Sequence, residues 1–323
     1  MPAAPPTPVL IAGFDAGQTH TTCRLATLAA DGRWQPMGEG DGSGVRHLAA
    51  VGGEALFTAA LCSSLEAALA ASGLTAQTSL AAAAVGASGI EAGTAVQERG
   101  LALAAAALGL PHRHLQVCGD EVTALQGALG SGPGVLVISG TGCIALGRNA
   151  AGASHRCGGW GWLLDGAGSA MDIGRDGLAL SVQMADGRLV ETPLRAGLWQ
   201  ALAVQTAQQV KAAVVAEGFA PAGFAQLAPL VDAAAANGDR SAQAVIQRSG
   251  AALAAMVAAV AAELGLAEPV VCGVGGALLH LTQLQHAFAA ALREQCPGAQ
   301  LQDPAGDACC GALDLAAQTA LRC

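Results

Sequence analysis

The chain has no tyrosine, a single lysine at Lys211 and no C-x-x-C pair, and each absence removes a class of function. One lysine against fourteen arginines leaves almost nothing for a lysine-based catalytic scheme. A net charge of −9 without clustered Lys and Arg excludes an electrostatic nucleic-acid surface, which needs a basic patch. The ten cysteines are scattered, and Cys309-Cys310, the one close pair, is adjacent and poorly suited to chelating one metal. Without an export signal they read as free thiols in a reducing cytoplasm. No basic segment followed by an apolar stretch opens the chain, so no signal peptide is expected, and MPAAPPTP (1–8) reads as a disordered lead. Hydrophobic residues make up 53% and the mean hydropathy is +0.46, but alanine supplies most of this. No uncharged run reaches the ~20 strongly apolar residues of a spanning helix, and GAALAAMVAAVAA before Glu263 reads as a buried helix. No membrane partner is expected.

At 323 residues two domains are expected rather than one core. VLIAGFD (9–15), TTCRLATLA (21–29) and WQPMGEG (34–40) read as a strand meander broken at turns. Helices are predicted over 52–73 and 91–108, strands near 80–88 and 114–120, and a helix from Asp120. The pattern restarts after SGPG (131–134) with VLVISG and CIALGRNAAG, two strands around Thr141-Gly142. Ala-rich helices follow at about 195–217, 224–236 and 240–265, then a strand over 268–276, a helix near 281–295 and a last helix after GDACCGAL (306–313). Hairpins followed by alternating helices and strands give a mixed α/β sheet. Both halves open on a strand–Gly turn–strand unit, which places the boundary at 9–130 and 131–323, with the last helix able to pack back on the first domain.

The first such unit, GFDAGQTHTT, sets Asp15 beside Gly17, Gln18, Thr19 and exposed amides. Concave arrays of amides bind phosphate, and a carboxylate next to them can hold the accompanying Mg²⁺; an ordinary hairpin turn uses the same residues. VLVISGTGCIALG repeats the device at Ser139, Gly140, Thr141 and Gly142. VVCGVGGALL ends a strand in Gly273, Gly275 and Gly276, where a flat ligand could approach the backbone. In QVCGDEVTAL, Asp120 lies at a strand end and helix start, suited to an N-cap and to a general base alike. Glu121 reads as an exposed charge. HRCGGWGWLLDGAGSAMDIG (155–174) surrounds Trp160 and Trp162 with glycines at 158, 159, 161, 166 and 168, which contribute no packing.

From Val9 to about Ala317 this order and spacing resemble the sugar kinase/heat-shock protein/actin superfamily. Within it the chain is similar to BadF/BadG/BcrA/BcrD-type ATPases and their N-acetylglucosamine kinase branch, with CGGWG followed by Gly-Ser-Ala the most specific stretch. The resemblance implies an α/β fold of two actin-like (ribonuclease H-like) domains flanking an ATP cleft. It implies ATP and Mg²⁺ as cofactors and phosphoryl transfer to a sugar hydroxyl, O6. Asp15 would orient Mg²⁺ through water. Gly17, Gln18 and Thr19 would form the first phosphate loop, and Gly140, Thr141 and Gly142 the second. Gly273, Gly275 and Gly276 would take adenosine, Asp120 would be the base, and Ser88, Trp160, Gly161 and Asp165 would line the acceptor site, with Trp162 in the core. His20 stands where the family carries a basic residue.

The chain departs from the family at the acceptor. Val45 and Arg46 occupy the place of an Asn that holds sugar hydroxyls, and Asp165-Gly166-Ala167-Gly168-Ser169 replaces Gly-Asp-Glu-Gly-Ser. The expected acceptor is N-acetylglucosamine, then glucosamine, then another hexose derivative. Two other readings stand beside the kinase. One is an activator ATPase of a 2-hydroxyacyl-CoA dehydratase system, with Cys157 as a cluster ligand. The other is a non-catalytic ATP- or sugar-binding regulator. A cytoplasmic location and a homodimer are expectations from the family.

Overall fold

The computed structural model describes residues 9–75 and 77–322; the lead at 1–8 lies outside the described residues. The chain forms two compact units, one running to Ser131 and resuming at Pro304, the other Gly132–Asp303.

In the first unit β1 (Val9–Ala16), β2 (His20–Leu28) and β3 (Trp34–Ser43) form an antiparallel meander, followed by helix α1 (Gly53–Ala71). β4 (Ala82–Ala87) pairs parallel to β1, α2 (Ala95–Leu108) leads to β5 (Leu115–Cys118), parallel to β4, and α3 (Asp120–Leu129) follows. The sheet order is β3-β2-β1-β4-β5. Side chains alternate across a strand, and the two faces enter separate cores. Ala12, Phe14, Ala83 and Val85 pack in one core with Phe57 and Leu61 of α1. Ile11, Ala82 and Ala84 pack in another with Leu313 and Ala316 near the C-terminus.

The second unit repeats this topology. β6 (Gly134–Ser139), β7 (Cys143–Arg148) and β8 (Ser154–Gly158) form the meander. Helices α4 (Ala170–Ala185), α5 (Pro193–Ala201), α6 (Ala207–Val214), α7 (Ala220–Ala225), α8 (Ala228–Ala236) and α9 (Arg240–Glu263) follow. β9 (Val270–Val274) pairs parallel to β6, then come α10 (Gly276–His280), α11 (Thr282–Gln295) and β10 (Gln300–Gln302), giving the order β10-β9-β6-β7-β8. The last helix, α12 (Ala308–Arg322), belongs to the first unit.

The sequence reading joined some helices that the chain separates. The span 195–217 is two helices, because Ala203 takes a positive φ of 54° and Thr206 with Gln209 closes a capping box that starts α6 afresh. The span 224–236 starts earlier, at Ala220, and is likewise divided into α7 and α8. α1 and α9 are long and apolar enough to cross a membrane by length and composition, with mean hydropathy 1.3 and 1.6, although both carry charged residues such as Glu66 and Arg248. Their apolar faces are committed within their own units, Phe57 and Leu61 in one core and Leu253, Val257 and Val260 in the other.

α12 lies at backbone contact with its neighbours. A Cβ at Gly13 of β1 would fall 2.7 Å from the Leu313 nitrogen, and one at Gly311 would fall 1.9 Å from the Thr123 oxygen of α3. The start of α12 is also held by charge: Arg24 donates to both Asp307 carboxylate oxygens, at 2.7 and 2.8 Å, and Asp307 accepts from the Cys310 amide at 2.8 Å. Trp34 of β3 donates to Asp314 at 2.7 Å.

Gly311→Ala forces backbone apart on both sides, and we expect a loss of about 1–3 kcal/mol in urea unfolding. Gly197→Ala, in the middle of α5 with open space around its Cβ position, should gain about 0.5–1 kcal/mol. Burial would raise the Asp307 carboxyl, but the Arg24 and Cys310 hydrogen bonds and the Arg24 charge outweigh it and hold it at about 2. Folding therefore favours the ionised form. The contribution is complete above the unfolded value of 3.8 and is lost as pH falls through about 2. Asp307→Asn should be destabilised equally at pH 7 and 5, and unfolding curves should show the difference shrinking below pH 4.

Candidate functional site

Three parallel strands of the first unit, β1, β4 and β5, end at one edge of their sheet, where ligands bind in open α/β sheets. The chain places Asp15, Ser88 and Asp120 there. Asp15 is the next-to-last residue of β1, beside Gly86 of β4. Ser88 follows β4 and donates its amide to the Ala16 carbonyl at 3.0 Å. Its hydroxyl accepts from the Gln18 side chain at 3.4 Å. Gln18, Thr19 and His20 are exposed on the turn, with Gly17 half-buried.

Burial pushes the Asp15 carboxyl up to about 6, helped by the charges of Asp120 and Asp307 and opposed by His20. Asp120 is also raised by burial, against hydrogen bonds from its own first turn that favour ionisation. It is the first residue of α3, the cap position being Gly119, and its carboxylate accepts from the Glu121 amide at 3.0 Å. The cap reading of Asp120 is therefore corrected by one position. Glu121 is half-buried rather than an exposed charge: its carboxylate lies over Gly119, 2.2 Å from where a Cβ would stand. Asp307, one of the charges acting on Asp15, was missed by sequence reasoning. Its signal was a helix-opening position, Asp before Ala-Cys-Cys.

Two half-buried carboxylates, both raised by burial and Asp15 also by the charge of Asp120, suit a divalent cation, whose charge would relieve both. Among the described residues no group of three His, Cys, Asp or Glu side chains gathers to cage a metal. That donor set fits Mg²⁺, which keeps several waters and takes one or two carboxylates plus phosphate oxygens.

The second unit carries its turns on the equivalent strand ends. β6 runs into Gly140-Thr141-Gly142 and β9 into Gly275-Gly276. Gly275 has φ +92°, and a Cβ there would lie 2.5 Å from the Ser139 carbonyl oxygen, so glycine alone lets the two strand ends meet. The Gly140 amide donates to the Gly142 carbonyl at 2.9 Å, and the Gly140 carbonyl accepts from the Ala170 amide at the start of α4. Thr141 is exposed. Gly273 lies two residues before Gly275 within β9, where a Cβ would make only an ordinary 3.4 Å contact with Leu278.

The loop after β8 is tied to these turns. Ser139 donates to the Gly168 carbonyl at 2.7 Å, and the Gly159 amide donates to the Cys143 carbonyl at 3.0 Å. Positive φ at Gly158, Gly159 and Gly161 turns the chain outward. Trp160 is 63% exposed with the Arg156 guanidinium 5.1 Å over its ring. Trp162, expected in the core, is 40% exposed, with Leu163 and Leu164 beside it at 77% and 84%. The Gly161 carbonyl accepts the Leu164 and Asp165 amides in a tight turn that lifts these side chains off the unit. The Asp165 carboxylate turns back, with one oxygen 3.5 Å from the Cβ position of Gly158. Burial, then the charge of Asp165, raises the Cys143 thiol to about 12 and lifts that of Cys157. Each unit thus brings together the expected residues it carries.

The chain is similar to several known proteins. An N-acetylmuramic acid/N-acetylglucosamine kinase of Clostridium acetobutylicum is 28% identical over 202 residues, 62% of this chain and 66% of that protein. An N-acetyl-D-glucosamine kinase of Dictyostelium discoideum is 31% identical over 207 residues, 61% of this chain and 63% of that protein. The chain thus spans just under two thirds of the length of these relatives. A solved chain from Chromobacterium violaceum, provisionally named an N-acetylglucosamine kinase, superposes with a TM-score of 0.77 at 29% identity, over 97% of this chain and all of the other. The model of the BadF/BadG/BcrA/BcrD ATPase family matches residues 12–316, and the chain belongs to that family.

Proposed function

We propose that the chain is an ATP-dependent amino-sugar kinase that transfers the γ-phosphoryl group of ATP to a sugar hydroxyl, O6, of N-acetylglucosamine or glucosamine. The observation that carries this is the Asp15–Asp120 pair at the edge where three parallel strands end. The kinase names of the relatives and of the similar solved chain support it.

Phosphoryl transfer asks for positioning, charge neutralisation and a group to take the proton of the attacking hydroxyl. Asp120 is that base: α3 fixes its backbone and the Glu121 amide orients its carboxylate. Burial, which raises its proton affinity, makes the carboxylate a better acceptor. Asp15 would hold Mg²⁺ through water, and the ion when bound would supply neutralisation of phosphate charge. The turns at Gly17, Gln18 and Thr19 and at Gly140, Thr141 and Gly142 take phosphate oxygens without lysine, the second through the amides beyond Gly140, whose own amide is held by the Gly142 carbonyl. Gly273, Gly275 and Gly276 leave adenosine access to backbone. Ser88 is the acceptor-binding residue of the first unit, and Trp160 and Gly161 are those of the second. Asp165, its carboxylate turned toward Cys143 and Cys157, serves by shaping the loop from beneath.

ADP release should be measured with Mg-ATP against amino sugars and plain hexoses. We expect turnover that depends on an amino sugar, and a fall of about 10²–10⁴-fold in kcat for Asp120→Asn with little change in the KM for ATP. ATP binding without turnover on any sugar would sink the kinase reading. Full activity in Asp120→Asn would remove that residue from the base role.

A further inference from the structure

Resting on the kinase reading, we propose that His47 is a specificity residue of the acceptor site, donating its Nε2–H to a substituent oxygen of the sugar other than the one phosphorylated. His47 stands on a fixed piece of backbone between β3 and α1. Val45 and Leu48 on either side are buried in the core shared with α1, while Arg46 and His47 stay exposed. The Val45 amide donates to the Gly17 carbonyl at 2.9 Å, and the His47 carbonyl accepts from the Ala50 amide at 2.8 Å. A Cβ at Gly53, the first residue of α1, would lie 2.3 Å from that same carbonyl oxygen. The segment is therefore held at one end by the Gly17 turn and at the other by the start of α1.

Two contacts orient the ring. The Ala49 amide donates to Nδ1 at 3.2 Å. A nitrogen that accepts this bond carries no proton, so the neutral imidazole keeps its proton on Nε2. On another side of the ring, Cδ2 and Cγ lie 3.0 and 3.5 Å from the Cβ position of Gly89, the residue after Ser88. Gly89 has φ +80°, and Ile90 beyond it is buried in the same core as Leu48, so both partners in this contact are anchored. Nε2 is bonded to Cδ2, which places its N–H beside the Ser88 loop. Among the described residues no partner is found for Nε2. The Ser88 hydroxyl accepts from the Gln18 side chain at 3.4 Å and keeps its own proton to donate. Two neutral donors thus border the edge whose carboxylates are Asp15 and Asp120. A nitrogen that only donates cannot take the proton of the reacting hydroxyl, so His47 binds an oxygen away from the transfer.

Acceptor kinetics separate this role from mere closure of a turn. His47→Phe keeps a ring against Gly89 and removes both nitrogens. His47→Asn keeps an oxygen for the Ala49 amide and an N–H₂ that donates, as in an Asx turn. Both are assayed with Mg-ATP on whichever of N-acetylglucosamine, glucosamine and glucose the wild type turns over best, and on its 1-, 2-, 3- and 4-deoxy forms, with thermal melts alongside. We expect His47→Phe to raise the KM for the sugar about three- to tenfold, with kcat and the KM for ATP unchanged. His47→Asn should recover most of that loss. Removing one particular sugar oxygen should cost the wild type a similar factor and cost His47→Phe nothing further, because both changes break the same bond. A sugar KM unchanged in His47→Phe overturns the inference and leaves the kinase reading intact. So does a loss in both variants that is equal for every deoxy form, which would mark a distorted turn. Turnover of no sugar by the wild type overturns the kinase reading and the inference with it.

Discussion

Backbone-to-backbone contact between the C-terminal helix and the first sheet is the constraint on which the first unit's candidate site depends. Only glycine at 13 and 311 admits α12 to that distance from β1 and α3. Interiors are close-packed and transmit small displacements, so the same contact fixes the separation of Asp15, at the end of β1, from Asp120, at the start of α3. Arg24 and Asp307 pin the near end of α12 electrostatically, and Asp307 then contributes to the field at Asp15. Packing and electrostatics meet at one place. A helix distant in sequence thereby bears on the position of the two carboxylates and, through Asp307, adds to the proton affinity that burial gives Asp15.

The two units share one topology yet divide the chemistry. In the first, the strand ends carry carboxylates held half-buried, where desolvation raises their proton affinity. In the second, the equivalent ends carry glycines and hydroxyls, Gly140-Thr141-Gly142 and Gly275-Gly276, with amides as the polar groups on offer. Amides bind anions without introducing a charge that would have to be desolvated. A chain with one lysine can therefore meet a polyphosphate through backbone and a cation through carboxylates, provided its glycines allow the approach.

Much of this was legible in the sequence. Apolar runs ending in Asp15 and Ser139 located the strands, and glycine punctuation located the turns, because each of those signals is local. Asp120 was legible as a strand-end, helix-start carboxylate, although its place within the first turn depended on which neighbour took the cap. What failed was decided by contacts between distant residues. Trp162 looked like core from its hydrophobicity, but positive φ at Gly158, Gly159 and Gly161 and the turn closed by the Gly161 carbonyl carry it outward. Glu121 looked like a surface charge until Gly119 left space for its carboxylate. Asp307's influence on Asp15 needed α12 docked, which no local pattern announces.

The acceptor departures are read differently once the backbone is known. A residue can be replaced in two ways: its atoms can be lost from the site, or its position can be handed to a group of other chemistry. Asp165 illustrates the first, since its carboxylate reaches back toward Gly158 and the thiols of Cys143 and Cys157. The loop also presents aromatic surface at Trp160, 63% exposed. Val45 and Arg46 illustrate the second. The core takes Val45, the turn at Gly17 anchors its amide, and the next residue delivers a guanidinium to the edge. The exchange puts an exposed cation where the family resemblance implies a neutral amide side chain.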